Sequence, residues 1–300
     1  MRTKEIKQKI KSVGNIKKIT KTMEMVSISK MRRAVDKALS SRAYSTQALE
    51  LLVNLSKDTN VSNPLMVAGE SNKELIIIVA SNKGLCGGYN TNLSKALFLY
   101  LNNESIGKEI KVITIGKYSE KISKKLNLSI FASFNTFSEY SDIEQTKTLS
   151  DLVSKEFVDG KYRSVKILYT EFLKSTSYKP VLRELFPISP LTIKNLIDIS
   201  GEEANVEEKE YSFAEYKFEP NLKNVLEGIL PGLVDTVVYQ SLSESFASEH
   251  SSRMFAMKNA GDSATTILDG LKLSYNHARQ DGITRELSEI VAGAEALNVN

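Results

Sequence analysis

Between Ser251 and Leu297, apolar residues at Met254, Met257, Ala260, Ala264, Ile267, Leu271, Tyr275 and Ala278 recur in steps of three or four with mostly polar residues between them. That is the spacing of one stripe on an α-helix. Leu222, Val225, Ile229, Leu233 and Val237 carry the same rhythm upstream. A single helix from about Asn221 to Leu297 would be roughly 115 Å long at 1.5 Å per residue. No small domain buries such a helix, so its stripe needs a partner of comparable length. Pro231-Gly232 interrupts the pattern and is expected either to start the helix or to kink it.

The partner lies at the other end of the chain. From Arg2 to Leu55 there is no proline, and Ile6, Ile10, Val13, Ile16, Ile19, Met23 and Val26 again step by three or four. This helix would span roughly 80 Å, and an antiparallel coiled coil lets each helix cover the other's stripe, placing residues near Met23 and Val26 against the C-terminal helix. Every seventh residue from Ile6 gives Ile6, Val13, Thr20, Ser27, Ala34, Ser41 and Ala48, a seam that turns from branched to small. Small seam residues permit close helix approach, although the same residues also suit exposed helix positions.

Charge is concentrated in the same segment. Between Arg2 and Arg42 stand thirteen Lys and Arg against the three acids Glu5, Glu24 and Asp36, an excess of ten that exceeds the whole-chain net of +4. The rest of the chain is therefore acidic. Such a face suits nucleic-acid phosphates, an anionic membrane surface, an acidic protein surface or plain solvation. Nucleic acid is disfavoured because no aromatic residue interleaves these cations before Tyr44 and no groove-reading motif is present.

The rhythm stops between Lys57 and Glu70, and a different pattern begins. Leu75 to Ala80 is an uninterrupted, β-branched apolar run, as expected of a central buried strand. A turn with Gly84, Gly87 and Gly88 follows, then an amphipathic helix from about Thr91 to Leu101, together the opening of a Rossmann-like unit. The glycine spacing matches neither G-x-G-x-x-G nor G-x-x-x-x-G-K-[ST], so a tight structural turn is the expected role. Lys111 to Ile115 reads as a second strand and Lys117 to Leu126 as a second helix. Ser141-x-x-Glu144 reads as a capping box opening a helix from Asp142 to about Val158, ended by Gly160. Val165 to Thr170 and Pro180 to Pro187 read as further extended pieces. The alternation predicts an open α/β sheet inserted between the two long helices. The expected domains are an N-terminal helix (1–57), an α/β domain (70–195), an acidic connection (196–220) and a C-terminal helix (221–300).

The inventory for catalysis is poor. His250 and His277, the two histidines, stand 27 residues apart on one predicted helix, roughly 40 Å, so no histidine pair can hold a metal. Cys86 is the single cysteine, so no intrachain disulfide forms, a reducing compartment fits best, and a structural thiol is the expectation. No run of eighteen apolar residues predicts a membrane span, and the lysine-rich N-terminal segment lacks the apolar core of an export signal. No active site, cofactor or metal is expected on this chain.

Three segments, IKSVGNIKKITKTMEMVSISKMRRA (Ile10 to Ala34), SNKGLCGGYN (Ser81 to Asn90) and SEHSSRMFAMKNAGDSATTILDGLKLSYNHARQDGITRELSEIVAGAEAL (Ser248 to Leu297), closely resemble the gamma subunit of F-type ATP synthases. The resemblance implies that the terminal helices form the central shaft inside a ring of alpha and beta subunits. It implies that the α/β domain is the foot on the epsilon subunit and the c-ring, at the cytoplasmic face of a bacterial membrane, and that catalysis lies on the beta subunits. It assigns a rotor interface to Met23, Arg33, Arg279, Gln280, Thr284, Glu286 and Glu289, the last five read as one polar patch beyond the end of the shorter helix. Family members often carry Asp-Arg where this chain has Asn82-Lys83, and Ala-Thr-Asp-Asn where it has Ala260-Gly261-Asp262-Ser263. The chloroplast-type insertion with its cysteine pair is absent. A nucleotide-binding enzyme with a coiled-coil arm and a nucleic-acid-binding coiled coil are the alternatives; neither nucleic acid nor a small-molecule cofactor is expected under the resemblance.

Overall fold

The computed structural model describes residues 3–55, 63–105, 107–188 and 222–298. Its elements are α1 (Thr3–Leu55), a short 3-10 turn (Pro64–Met66), β1 (Lys73–Val79), α2 (Tyr89–Asn103), β2 (Glu109–Ile115), α3 (Lys117–Lys125), β3 (Ser129–Phe134), α4 (Ile143–Val158), β4 (Ser164–Lys174), β5 (Ser177–Phe186) and α5 (Leu222–Asn298). The acidic stretch 196–220 and the side chains of Ser41 and Ala48 lie outside the described residues. The chain divides into two compact units, Met1–Ser27 with Arg253–Asn300, and Ile28–Ser252. Both α1 and α5 contribute to each.

In the first unit the seven-residue seam is real. Ile6, Thr20 and Ser27 are buried and Val13 is half-buried, opposite a row on α5 in which Met257, Ala264 and Leu268 are buried. A Cβ built on Gly261 would stand 3.4 Å from Thr20 Oγ1, so the helices approach closely where both offer small residues. The buried hydroxyls are satisfied within α1: Thr20 donates to the Lys17 carbonyl at 3.0 Å and Ser27 to the Met23 carbonyl at 2.7 Å. They therefore enter the seam without an unpaired donor.

The three-and-four stripe on α1 needs correction. Ile16, Ile19 and Val26 are 50%, 58% and 48% exposed, and Met23 is half-buried, so Val26 does not lie against the C-terminal helix. A helix pair buries a narrow seam of period 3.5, and the steps here are not a strict alternation: three successive threes from Ile10 to Ile19 leave Ile19 and Val26 each one residue, about 100°, short of the buried seam positions Thr20 and Ser27. On α5, Ile267 is likewise 52% exposed.

The second unit is built on a five-stranded sheet in the order β3-β2-β1-β4-β5. The first four strands are parallel, with Ile76 opposite Val112 and Leu75 opposite Val165, while β5 returns antiparallel from β4 as a hairpin. The continuous apolar run of β1 is explained by cover on both faces. Leu75, Ile77 and Val79 pack in a cluster with α4 residues Leu149, Val153 and Phe157 and α5 residues Leu233, Val237 and Leu242. Ile76 and Ile78 pack with Leu93 and Leu97 of α2 and Ile122 of α3. Ala34 of α1 is buried in the first cluster with Leu242 and Phe246 of α5. Within the first unit Thr20 of α1 thus meets Gly261 of α5, and within the second Ala34 of α1 shares its cluster with Leu242 and Phe246 of α5.

Local expectations hold with three adjustments. β3 was not expected, because as an edge strand it alternates half-buried and exposed residues and lacks a continuous apolar run. The box that opens α4 sits one residue later, with Asp142 as N-cap and its N–H donated to Gln145 Oε1 at 3.3 Å. Pro231 lies inside α5, which starts at Leu222, so proline does not open that helix; its side chain faces outward.

Candidate functional site

In doubly wound sheets a ligand sits where the chain order reverses, beyond the carboxyl ends of the strands. Here that point lies between β1 and β4, and α5 occupies it. Ser252 Oγ donates to the Cys86 carbonyl in the β1–α2 turn at 2.6 Å. Ser248 Oγ donates to the Thr170 carbonyl of β4 at 3.1 Å. Ser245 Oγ lies 2.6 Å from the Tyr89 hydroxyl and accepts the Thr170 N–H at 3.5 Å. Ser251 donates to the Ser175 carbonyl in the β4–β5 turn. All four serines are buried.

The turn itself is arranged for structure. Leu85 and Gly87 take positive φ of 61° and 55°, and Gly88 precedes α2. Cys86 is buried, its Sγ accepting from Asn90 Nδ2 at 3.2 Å, while Asn90 also bonds Ser81. Burial pushes the Tyr89 hydroxyl up, away from ionisation. Nothing in this arrangement poises a nucleophile or a base.

On another side α5 meets a charged clasp. Glu139, in the segment before α4, takes Lys30 Nζ of α1 at 2.6 Å and His250 Nε2 of α5 at 3.3 Å. Burial would raise the Glu139 carboxyl, but hydrogen bonds from His250 and Lys30 outweigh it and bring it down to about 2. One turn on, the Arg33 guanidinium stands 4.5 Å from the Tyr140 ring centroid, and Lys37 donates to the Ser141 carbonyl at 2.8 Å and to Asp142 at 3.0 Å. Two turns of the basic helix, from Lys30 to Lys37, thus hold one loop. A separate buried acid, Glu74, is raised by burial and lowered more strongly by Tyr100, Lys108 and Lys166, a fully occupied structural carboxylate.

The residues assigned to a rotor interface fall in different places. Arg33 is exposed and belongs to the clasp; Met23 is half-buried on α1 in the helical unit. Arg279, Gln280, Thr284, Glu286 and Glu289 are all exposed on α5, where every described side chain from Ile283 to Ala294 is exposed. They do not form one polar patch. At about 100° per residue, Arg279, Glu286 and Glu289 lie on one side of an apolar stripe, Thr284 borders the other side, and Gln280 falls within the stripe near that second edge. The stripe is Ile283, Leu287, Ile290 and Val291, at 49%, 57%, 67% and 57% exposure. Sequence reasoning missed the serine face and Glu139. The signal for the former was six serines between Ser241 and Ser252, where the apolar rhythm lapses.

Among the described residues no group of three or more His, Cys, Asp or Glu could hold a metal ion, and no helix is long and apolar enough to cross a membrane.

Two long helices around an inserted doubly wound sheet define the class of the chain, and the ATP synthase family model matches residues 2–297. The ATP synthase gamma chain of Verminephrobacter eiseniae is 38% identical over 299 residues, covering 98% of this chain and 97% of its own. That of Paraburkholderia phymatum is 36% identical over 297 residues, covering 98% and 99%. Among solved structures, the Tetrahymena thermophila mitochondrial ATP synthase central stalk and c-ring contains a similar chain with a TM-score of 0.56 and 25% identity, covering 81% of this chain and 99% of that one. A chain of the Euglena gracilis mitochondrial ATP synthase OSCP/F1/c-ring structure, at TM-score 0.66 and 20% identity, covers 98% and 94% and shares the fold. The chain belongs to the gamma chains of ATP synthases.

Proposed function

We propose that this chain is the central-stalk rotor of a rotary ATP synthase, passing torque between an ion-driven c-ring and a ring of alpha and beta subunits that carries the catalytic sites. The observation that carries the reading is the end of α5. This helix has 77 residues against the 53 of α1, and past Ala278 it exposes the apolar stripe of Ile283, Leu287, Ile290 and Val291 between two polar flanks. Such a stripe is stable in water only when something sheathes it, and a surrounding ring of subunits does so. The polar side chains Arg279, Gln280, Thr284, Glu286 and Glu289 supply directional contacts that form and break as the helix turns, and Met23 and Arg33 are the members of the same interface on α1. The basic face of α1 suits acidic loops of the beta subunits, since charge guides contact without dry packing. In this reading the helices are the shaft and residues 70–195 the foot, where the epsilon subunit and the c-ring dock, at the cytoplasmic face of a bacterial membrane and peripheral to it. Co-expression with alpha, beta and epsilon subunits tests it: a stable complex containing one copy of this chain is expected by intact-mass measurement, and its absence from the assembled ring contradicts the reading.

A further inference from the structure

The serine face of α5 does more than close a crevice. We infer that Ser245, Ser248 and Ser252 lock α5 against turning about its own axis on the sheet, making this contact the point at which torque leaves the helix for the α/β unit; the inference rests on the rotor reading above. Apolar packing is non-directional and resists separation far better than it resists rotation of a helix in its groove. Hydrogen bonds to fixed carbonyls are directional, so a small turn breaks them.

The geometry fits a lock. The three serines fall at steps of three and four, one face over two turns, and reach two separate parts of the sheet: the β1–α2 turn through Cys86, and β4, past the last residue that β1 pairs with, through both the N–H and the carbonyl of Thr170. Tyr89, the first residue of α2, meets Ser245 as well. Two residues away from both Ser248 and Ser252, and so on nearly the opposite face, His250 engages Glu139. A helix held by directional bonds on opposite faces can neither roll nor slide without breaking one set. Ser241 provides the contrast, since it is just as buried but donates to the Val237 carbonyl of its own helix at 2.8 Å.

The test uses the reconstituted complex with its ring immobilised and a bead on a cysteine placed at Lys95 of α2, an exposed position; the native Cys86 is buried. With the rotor stalled, the variance of the bead angle should rise roughly twofold in Ser245→Ala/Ser248→Ala/Ser252→Ala, because directional contacts have been exchanged for non-directional ones. Ser241→Ala should match the parent. The single variant Ser252→Ala should show the same rise in smaller measure, and it carries the test if the triple variant does not assemble. An angular variance equal to that of Ser241→Ala overturns the lock. Failure of the parent complex to rotate the bead on ATP addition instead overturns the rotor reading on which the lock rests.

Discussion

At Glu139 a buried carboxylate is held by a cation from α1 and an imidazole from α5. Its pKa, brought down from an ordinary 4.5 to about 2, ties stability to pH. A depressed carboxyl contributes fully above the unfolded value, so its contribution is present above about 4.5 and is lost as pH falls through about 2. Glu139→Gln should therefore flatten the loss of urea stability over that acid window and cost on the order of 3 kcal/mol at neutral pH. An unchanged acid profile would count against the clasp. Arg279 and Gln280 are the opposite case. Being exposed, Arg279→Ala with Gln280→Ala should alter the stability of the isolated chain by less than about 0.5 kcal/mol. In the assembled complex, loss of their contacts should lower ATP turnover by roughly two- to tenfold, the range for one or two hydrogen bonds. Parental turnover would make them ordinary surface. At this scale the sequence disclosed which residues stand on the tip of α5 but not their grouping, because the spacing argument paired polar residues with each other and left out the apolar stripe between them.

The helix pair and the central strands were legible because one physical constraint dominates each. Period seven selected Ile6, Thr20, Ser27 and Ala34, which are buried, and Val13, which is half-buried, and the apolar run selected β1. Where two environments compete, the pattern fades. β3, on the sheet edge, has only half its residues sheltered, and from Gln240 to Arg253 α5 is buried on every side. A helix surrounded by protein has no solvent face to mark its period, and its serines bond to neighbours instead of water. The close approach at Thr20 and Gly261 makes a sharp test of the pairing. Thr20→Cys with Gly261→Cys should oxidise readily to a disulfide, since a Cβ at 261 stands 3.4 Å from Thr20 Oγ1. A cysteine at Val26, turned outward, should instead remain open to a soluble maleimide. Failure of the first pair to close would refute the antiparallel register.

For the molecule as a whole, family membership and the unsheathed end of α5 agree. A chain that exposes an apolar stripe on its longest helix, fills its own ligand crevice with serines and carries an excess of ten cations between Arg2 and Arg42 is organised around contacts with other subunits. The most direct measurement is rotation itself. With the alpha and beta ring fixed to a surface and a bead on the α/β unit of this chain, ATP should drive unidirectional turning that stops when ATP is removed. ATP hydrolysis by an assembled, immobilised ring while the bead stays still would contradict the account.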